Sequence, residues 1–249
     1  MTASLGMYDR AETAPANDRL WAAIRDGLRG RGVAAPDALT RGEAAYWPAW
    51  EDPALVLSQT CGFPYRARLH GRVTLIGTPD YAVEGCAPGL YRSVFVARAD
   101  DARSRIEDFD GTALAYNEAL SQSGWAAPQN HAAAHGLRFP AGLQTGGHRA
   151  SALAVAGGRA DLAALDAVTW RLLSRWEDFA GRLKVVGQTD PTPGLPFIAG
   201  PGADAAATFD AVDEAIAGLS DADRDATGLR GLIRIAPEAY LAVPTPPAP

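Results

Sequence analysis

Apolar residues recur at helical spacing over Asn17–Leu28, where Leu20, Trp21, Ile24 and Leu28 share one face and Gly30 and Gly32 stop the run. The same pattern predicts helices over Gly124–His135, His148–Ala156, Val168–Trp176 and Thr208–Leu219. Pro128 is tolerable in the second of these only within its first turn. Short apolar runs bounded by turn residues predict strands at Ala3–Met7, Ala54–Leu57, Val73–Ile76, Leu90–Val96, Thr112–Tyr116, Asp161–Leu165, Lys184–Val186 and Pro196–Ala199. Strands and helices alternate from end to end, which argues for α/β architecture with parallel sheets. The tail VPTPPAP is rich in proline and reads as extended or disordered.

Composition narrows the function. The 249 residues are 47% hydrophobic and 21% charged, enough for one large domain or two small ones. A net charge of −6 argues against a basic nucleic-acid face, yet an acidic chain can still hold an anion on helix N-termini and main-chain N–H groups. No apolar run reaches the ~18 residues of a membrane span. The opening MTASLGMYDR lacks the basic start and apolar core of a secretory signal, which as written fits either a cytoplasmic chain or one whose signal has been removed. Cys61 and Cys86 lie in no metal-type spacing; they would pair in an oxidising compartment and stay as thiols in a reducing one.

The candidate chemistry sits where strands turn into helices. The stretch NEALSQSGW, from Asn117 to Trp125, offers amides and hydroxyls without Lys, Arg or His. Two readings fit: a capped helix, or a cradle in which Ser121, Ser123 and Gly124 present donors to an anion. LSQTCG, with Ser58, Thr60, Cys61 and Gly62, repeats the logic some sixty residues earlier and suggests two lobes facing a cleft. His148 in the turn Gly146–Arg149 fits a cap or an anion donor. Asp166 fits a helix cap or a ligand contact at a strand's carboxyl end. Tyr8 and Tyr91 fit core packing or a cleft wall. His131 and His135 stand four apart, but with no third ligand evident they read as a solvated face rather than a metal site, and no cofactor motif is found.

Taken in order, a Tyr after the first strand, YRSVFV, DFDGTALAYNEALSQSG, TGGHRASALAVAGGRADLAALD and VVGQTDPTPGLPFI resemble the phosphate/phosphite/phosphonate-binding proteins of the PhnD type, the solute receptors of ABC importers. The resemblance runs from about Leu5 to Ile233. It implies a two-lobed type II periplasmic-binding-protein fold. Lobe I would hold 1–88 and 190–249, lobe II 89–189, with hinge crossings near Gly89–Val94 and Val186–Pro193. The family's Ser-x-Ser-Gly pattern falls on Ser121, Ser123 and Gly124; its other ligand positions fall on Tyr8, Thr60, Tyr91, His148 and Asp166. Asn117 and Cys61 complete the candidate set. Gln122 and Trp125 stand where the family loop often has Thr and further hydroxyls.

The resemblance implies capture of a small phosphorus oxyanion or phosphonate in an interlobe cleft for an ABC-transporter permease, without cofactor or catalysis, in the periplasm. Two alternatives stay open: a cytoplasmic ligand sensor of the same fold, and a two-lobed biosynthetic enzyme acting on a heteroaromatic precursor, for which Cys61 at a helix start is the suitably placed thiol, while Lys184, the only lysine, lies in a strand rather than at the cleft loops.

Overall fold

The computed structural model describes residues 1–249. Its strands are β1 (Thr2–Ser4), β2 (Leu55–Gln59), β3 (Thr74–Asp80), β4 (Leu90–Tyr91), β5 (Ser93–Arg98), β6 (Leu114–Tyr116), β7 (Ala141–Gln144), β8 (Leu162–Asp166), β9 (Leu183–Gln188), β10 (Thr192–Pro193), β11 (Phe197–Ala199) and β12 (Gly231–Ile233). Its α-helices are α1 (Ala14–Gly30), α2 (Trp47–Trp50), α3 (Gly62–Pro64), α4 (Ala127–His135), α5 (His148–Ala156), α6 (Ala167–Trp176), α7 (Ala205–Ala217), α8 (Asp221–Thr227) and α9 (Pro237–Leu241). The chain divides into unit 1, Met1–Leu90 with Pro193–Tyr240, and unit 2, Tyr91–Thr192 with Leu241–Pro249.

Unit 1 is built on a sheet of order β1-β2-β11-β3-β12. The stripe of Leu20, Trp21, Ile24 and Leu28 on α1 is buried and joins Leu57, Phe197 and Val212 in the core. Pro15 sits in the first turn of α1, where its missing N–H costs nothing. A Cβ on Gly27 would come within 3.3 Å of Ala211 on α7, so a small residue lets the two helices approach. A second cluster gathers Trp50, Tyr65, Leu69, Ile198 and Tyr240. There the Tyr240 hydroxyl donates to the Gly194 carbonyl at 3.0 Å and meets Thr78 Oγ1 at 2.5 Å.

Unit 2 is built on a sheet of order β7-β6-β8-β5-β9. Val94, Val96, Val155, Leu165, Leu173 and Phe179 form its core. Ser151, Ala152 and Ala154 are buried on α5, and these small side chains let the helix lie close to the Ala163–Leu165 segment of β8.

The expected parallel sheets are in fact mixed. β1 runs parallel to β2, and β6 runs parallel to both β7 and β8. β11 is antiparallel to β2 and β3, and β5 is antiparallel to β8 and β9. β5 and β11 each follow a passage from one unit to the other, so no crossover helix within the unit sets their direction. The two passages are tied on either side of the boundary. In unit 1 Gly194 N donates to Gly89 O at 2.8 Å; in unit 2 Thr189 N donates to Ser93 O at 3.0 Å.

Other details depart from the pattern reading. The first strand ends at Ser4, and a tight 3-10 turn over Gly6–Tyr8 replaces its expected end. The chain's last nine residues, Leu241–Pro249, which include the Pro-rich tail, group with unit 2 rather than with unit 1. Pro247 O accepts from Trp125 Nε1 and Pro244 O from Asn130 Nδ2, both at 2.9 Å. The two cysteines form no disulfide.

Candidate functional site

Unit 2 gathers its candidate residues at one end of its sheet. The carboxyl ends of β6 and β8 lie at this edge, and Ser93 at the start of β5 is in register with Asp166. From β6 the chain enters the loop Asn117–Leu120. Ser121 then caps a π turn, Gln122–Ala126, which leads into α4. Pro128 accounts for that turn. It lacks the N–H that would bond to Gly124 in an α-helix, and its ring would strike that carbonyl, so the preceding turn widens to the five-residue spacing. This is why α4 begins three residues later than its pattern suggests.

Within the turn, Ser121 Oγ accepts from Gly124 N at 3.0 Å, so Ser121 is a true N-cap. Its lone pair is used in this way, and its hydroxyl proton remains a donor. The first main-chain bonds to Ser121 O come from Trp125 N and Ala126 N. The amides of Gln122 and Ser123 therefore precede them at the positive end of the helix. A Cβ on Gly124 would collide with Asn117 Oδ1, so glycine is required for the Asn117 amide to lie where it does.

The loop is pinned by groups that its own sequence does not announce. Ser93, 1% exposed, donates through Oγ to Ser123 O at 2.9 Å. Gly146 N donates to Asn117 O and Thr145 N to Tyr116 O, both at 2.9 Å. Thr145 Oγ1 meets Ser151 Oγ at 2.7 Å. Ser93 and Thr145 are positioning residues that the pattern reading missed. Ser93 carried a signal, as a lone hydroxyl in the apolar strand YRSVFV.

Ser123 Oγ lies 2.7 Å from His148 Nε2, joining the serine loop to the start of α5. Burial lowers the His148 pKa to about 4, against a smaller opposing effect of the Ala164 carbonyl, so the imidazole is neutral at pH 7. Asn117 Oδ1 and, in unit 1, Thr60 Oγ1 are buried without a hydrogen-bond partner. A buried orphan polar atom costs about 1–3 kcal/mol, and such atoms mark where a guest or water would be held.

The cationic charge nearby is already committed. Arg149, next to His148, makes paired bonds of 2.7 and 2.8 Å to the Glu177 carboxylate. Asp166, 2% exposed, caps α6, its Oδ1 accepting from Val168 N at 2.7 Å and Thr169 N at 3.0 Å. Trp125 is buried with its ring 5.2 Å from that of Tyr116. Tyr91 is buried at the start of unit 2.

The echo between the two Ser-Gln stretches is weaker in three dimensions. Ser58 and Gln59 still belong to β2. Ser58 Oγ is used inside the core, 2.6 Å from Ser4 Oγ and accepting from Trp50 Nε1 at 3.1 Å. Gln59 Nε2 reaches the Leu195 carbonyl at 3.2 Å. Thr60 is fully buried at the strand's end, and Cys61, 6% exposed, precedes the short α3. Tyr8 lies elsewhere in unit 1, edge-on to Tyr81 at 4.9 Å, and lines a small cavity with Leu5, Asn17 and Gln59 that Thr60 and Cys61 do not border. His131 and His135 stack at 4.3 Å on α4, and no group of three metal-ligating side chains is present.

The chain adopts the fold of the type II periplasmic-binding proteins. PhnD1 from Prochlorococcus marinus (MIT 9301) in complex with methylphosphonate is similar over 96% of this chain and 94% of its own, with a TM-score of 0.69 and 16% identity. A binding protein component of an ABC phosphonate transporter (PA3383) from Pseudomonas aeruginosa is similar over 94% of this chain and 80% of its own, with a TM-score of 0.67 and 16% identity. A histidine kinase sensor domain with similarity to periplasmic binding proteins is similar over 94% of this chain and 98% of its own, with a TM-score of 0.62 and 15% identity. No curated protein matches the sequence. Residues 60–239 match the family described as ABC transporter, phosphonate, periplasmic substrate-binding protein. The chain belongs to that family.

Proposed function

We propose that this chain captures a small phosphonate or phosphorus oxyanion in the periplasm, chiefly through neutral donors of unit 2, and releases it to an ABC-transporter permease. The observation that carries the reading is the loop Asn117–Gly124, where a capped helix start, the Ser123 hydroxyl and a neutral His148 meet beside buried atoms that lack partners. Charge-assisted hydrogen bonds contribute about 1.5–3 kcal/mol each, so three or four are enough for micromolar binding. Unit 1 enters the proposal through Thr60, whose orphan hydroxyl suits a donor role. Cys61, Tyr8 and Tyr91 are assigned to the ligand only by the family pattern, and the support is thinnest for Tyr8. No helix is long and apolar enough to cross a membrane.

The protein acts by binding rather than by catalysis. Lys184, the only lysine, donates from Nζ to the Asp101 carbonyl, and the Cys61 thiol is buried. A sensing role is the second reading, favoured by the likeness to a histidine kinase sensor domain. Calorimetry of the full chain with methylphosphonate, phosphite and phosphate is the test. Binding of at least one, weakened in both Ser123→Ala and Thr60→Val, supports the reading; no heat with any of the three, or equal affinity in both variants, refutes it.

A further inference from the structure

The family match ends at residue 239, before the last nine residues, which nevertheless make specific contacts with the ligand loop's own helix. Pro247 O accepts from the indole N–H of Trp125, inside the π turn, and Pro244 O accepts from the side-chain amide of Asn130 on α4. The chemistry is complementary. Proline offers a carbonyl and no N–H, while an indole is a donor only. Four of the six residues 244–249 are proline, and the carbonyls of Pro244 and Pro247 each meet a donor of the segment 125–130. Such a segment loses little conformational freedom when it docks. Trp125 is 4% exposed with the tail in place, so loss of the tail removes this acceptor and uncovers the indole edge to water.

We propose that Leu241–Pro249 is a strap that holds the π turn Gln122–Ala126 in its binding-competent form, and so sets ligand affinity at a distance from the ligand. Trp125 follows Gly124 directly, and its main-chain N donates to Ser121 O at 3.2 Å, so a shift of the indole is passed to the serine pair. Trp125 is thus a positioning residue. The coupling to affinity rests on the proposed phosphonate function; the effect on the loop does not.

Two variants test the strap: a chain ending at Leu241, which keeps the buried Tyr240, and Trp125→Phe, which keeps a ring but removes the indole N–H. Hydrogen exchange of residues 122–130, measured without ligand, should be faster in both. Methylphosphonate affinity should fall about two- to tenfold in both, the loss of one hydrogen bond. Trp125→Phe added to the shortened chain should cost nothing more, because the shortened chain has already lost Pro247 O, the acceptor of the bond that the substitution removes. Unchanged exchange over 122–130 in the shortened chain overturns the proposal, as does a full additional loss in the combined variant. Absence of methylphosphonate binding by the full chain would count against the phosphonate function, while the exchange rates would still decide the strap.

Discussion

Ser123 Oγ and His148 Nε2 stand 2.7 Å apart, although twenty-five residues separate them in sequence. The contact joins the start of the α4 segment to the start of α5. It lets a neutral imidazole fix a hydroxyl that the capping geometry leaves free. Ser123→Ala should therefore weaken methylphosphonate binding by about one to two orders of magnitude, the value of a hydrogen bond to a charged partner. The melting temperature should fall only modestly, because Ser121 keeps the cap while His148 Nε2 loses its partner. Calorimetry with a parallel thermal melt checks both, and a large fall in melting temperature with unchanged affinity would assign Ser123 a structural role.

The same histidine makes stability depend on pH. Its folded-state pKa of about 4 lies below the ordinary 6.5, so between these values the unfolded chain takes up the proton and the folded chain does not. Stability is thus fully retained above about pH 6.5 and declines as pH falls toward 4. The gap corresponds to about 3 kcal/mol at most, and less where solvent reaches the ring. Asp101, held near 2 by Arg103, titrates below this window. Urea unfolding at pH 7 and pH 4.5 should show a smaller decline in His148→Gln than in the parent chain.

Asp166 has a capping duty that shapes how its variants behave. Asp166→Ala should lower unfolding free energy by about 1 kcal/mol through loss of the α6 cap, whatever happens to ligand affinity. Asp166→Asn should restore most of that stability. An affinity loss that persists in the Asn variant would identify a contribution of the carboxylate to the ligand; a full recovery would leave Asp166 as a cap alone.

Gly124 is fixed by the Asn117 amide. Gly124→Ala should cost about 1–3 kcal/mol, the usual penalty for crowding a packed site. Much of that cost should vanish in the Asn117→Ala background, where only Ser121 Oγ, at 3.2 Å, stays close to the new methyl. Denaturant midpoints of the single and double variants form the cycle that measures the coupling.

The clearest sequence signals correspond to the elements that depend on local physics. The Leu20, Trp21, Ile24 and Leu28 stripe became α1, and the apolar run around Val94 became β5, because burial of one face needs only the right spacing. The Ser-x-Ser-Gly loop was visible for a similar reason, since hydroxyls and glycine before a helix are what a cap uses. Ser58 was misjudged because its sequence neighbours resemble those of Ser121, while its actual partners, Ser4 and Trp50, arrive from other elements. Strand direction escaped too, as β5 and β11 take theirs from passages between units rather than from any local signal.

Sequence by itself determined the longer helices α1 and α4 to α7, most of the strands and the family to which the chain belongs, because periodicity and motif order are written along one dimension; the short β7, β10, β12, α2, α3, α8 and α9 carried no such pattern. Only the tertiary structure decided that Ser93 and Thr145 brace the serine loop, that His148 meets Ser123, that Asp166 serves as a cap and that the proline tail lies against Trp125. Each of these is a pairing of donor and acceptor brought together from separated segments. A hydroxyl, an amide or a carbonyl has the same composition wherever it stands, and its partner is chosen only when the chain is folded.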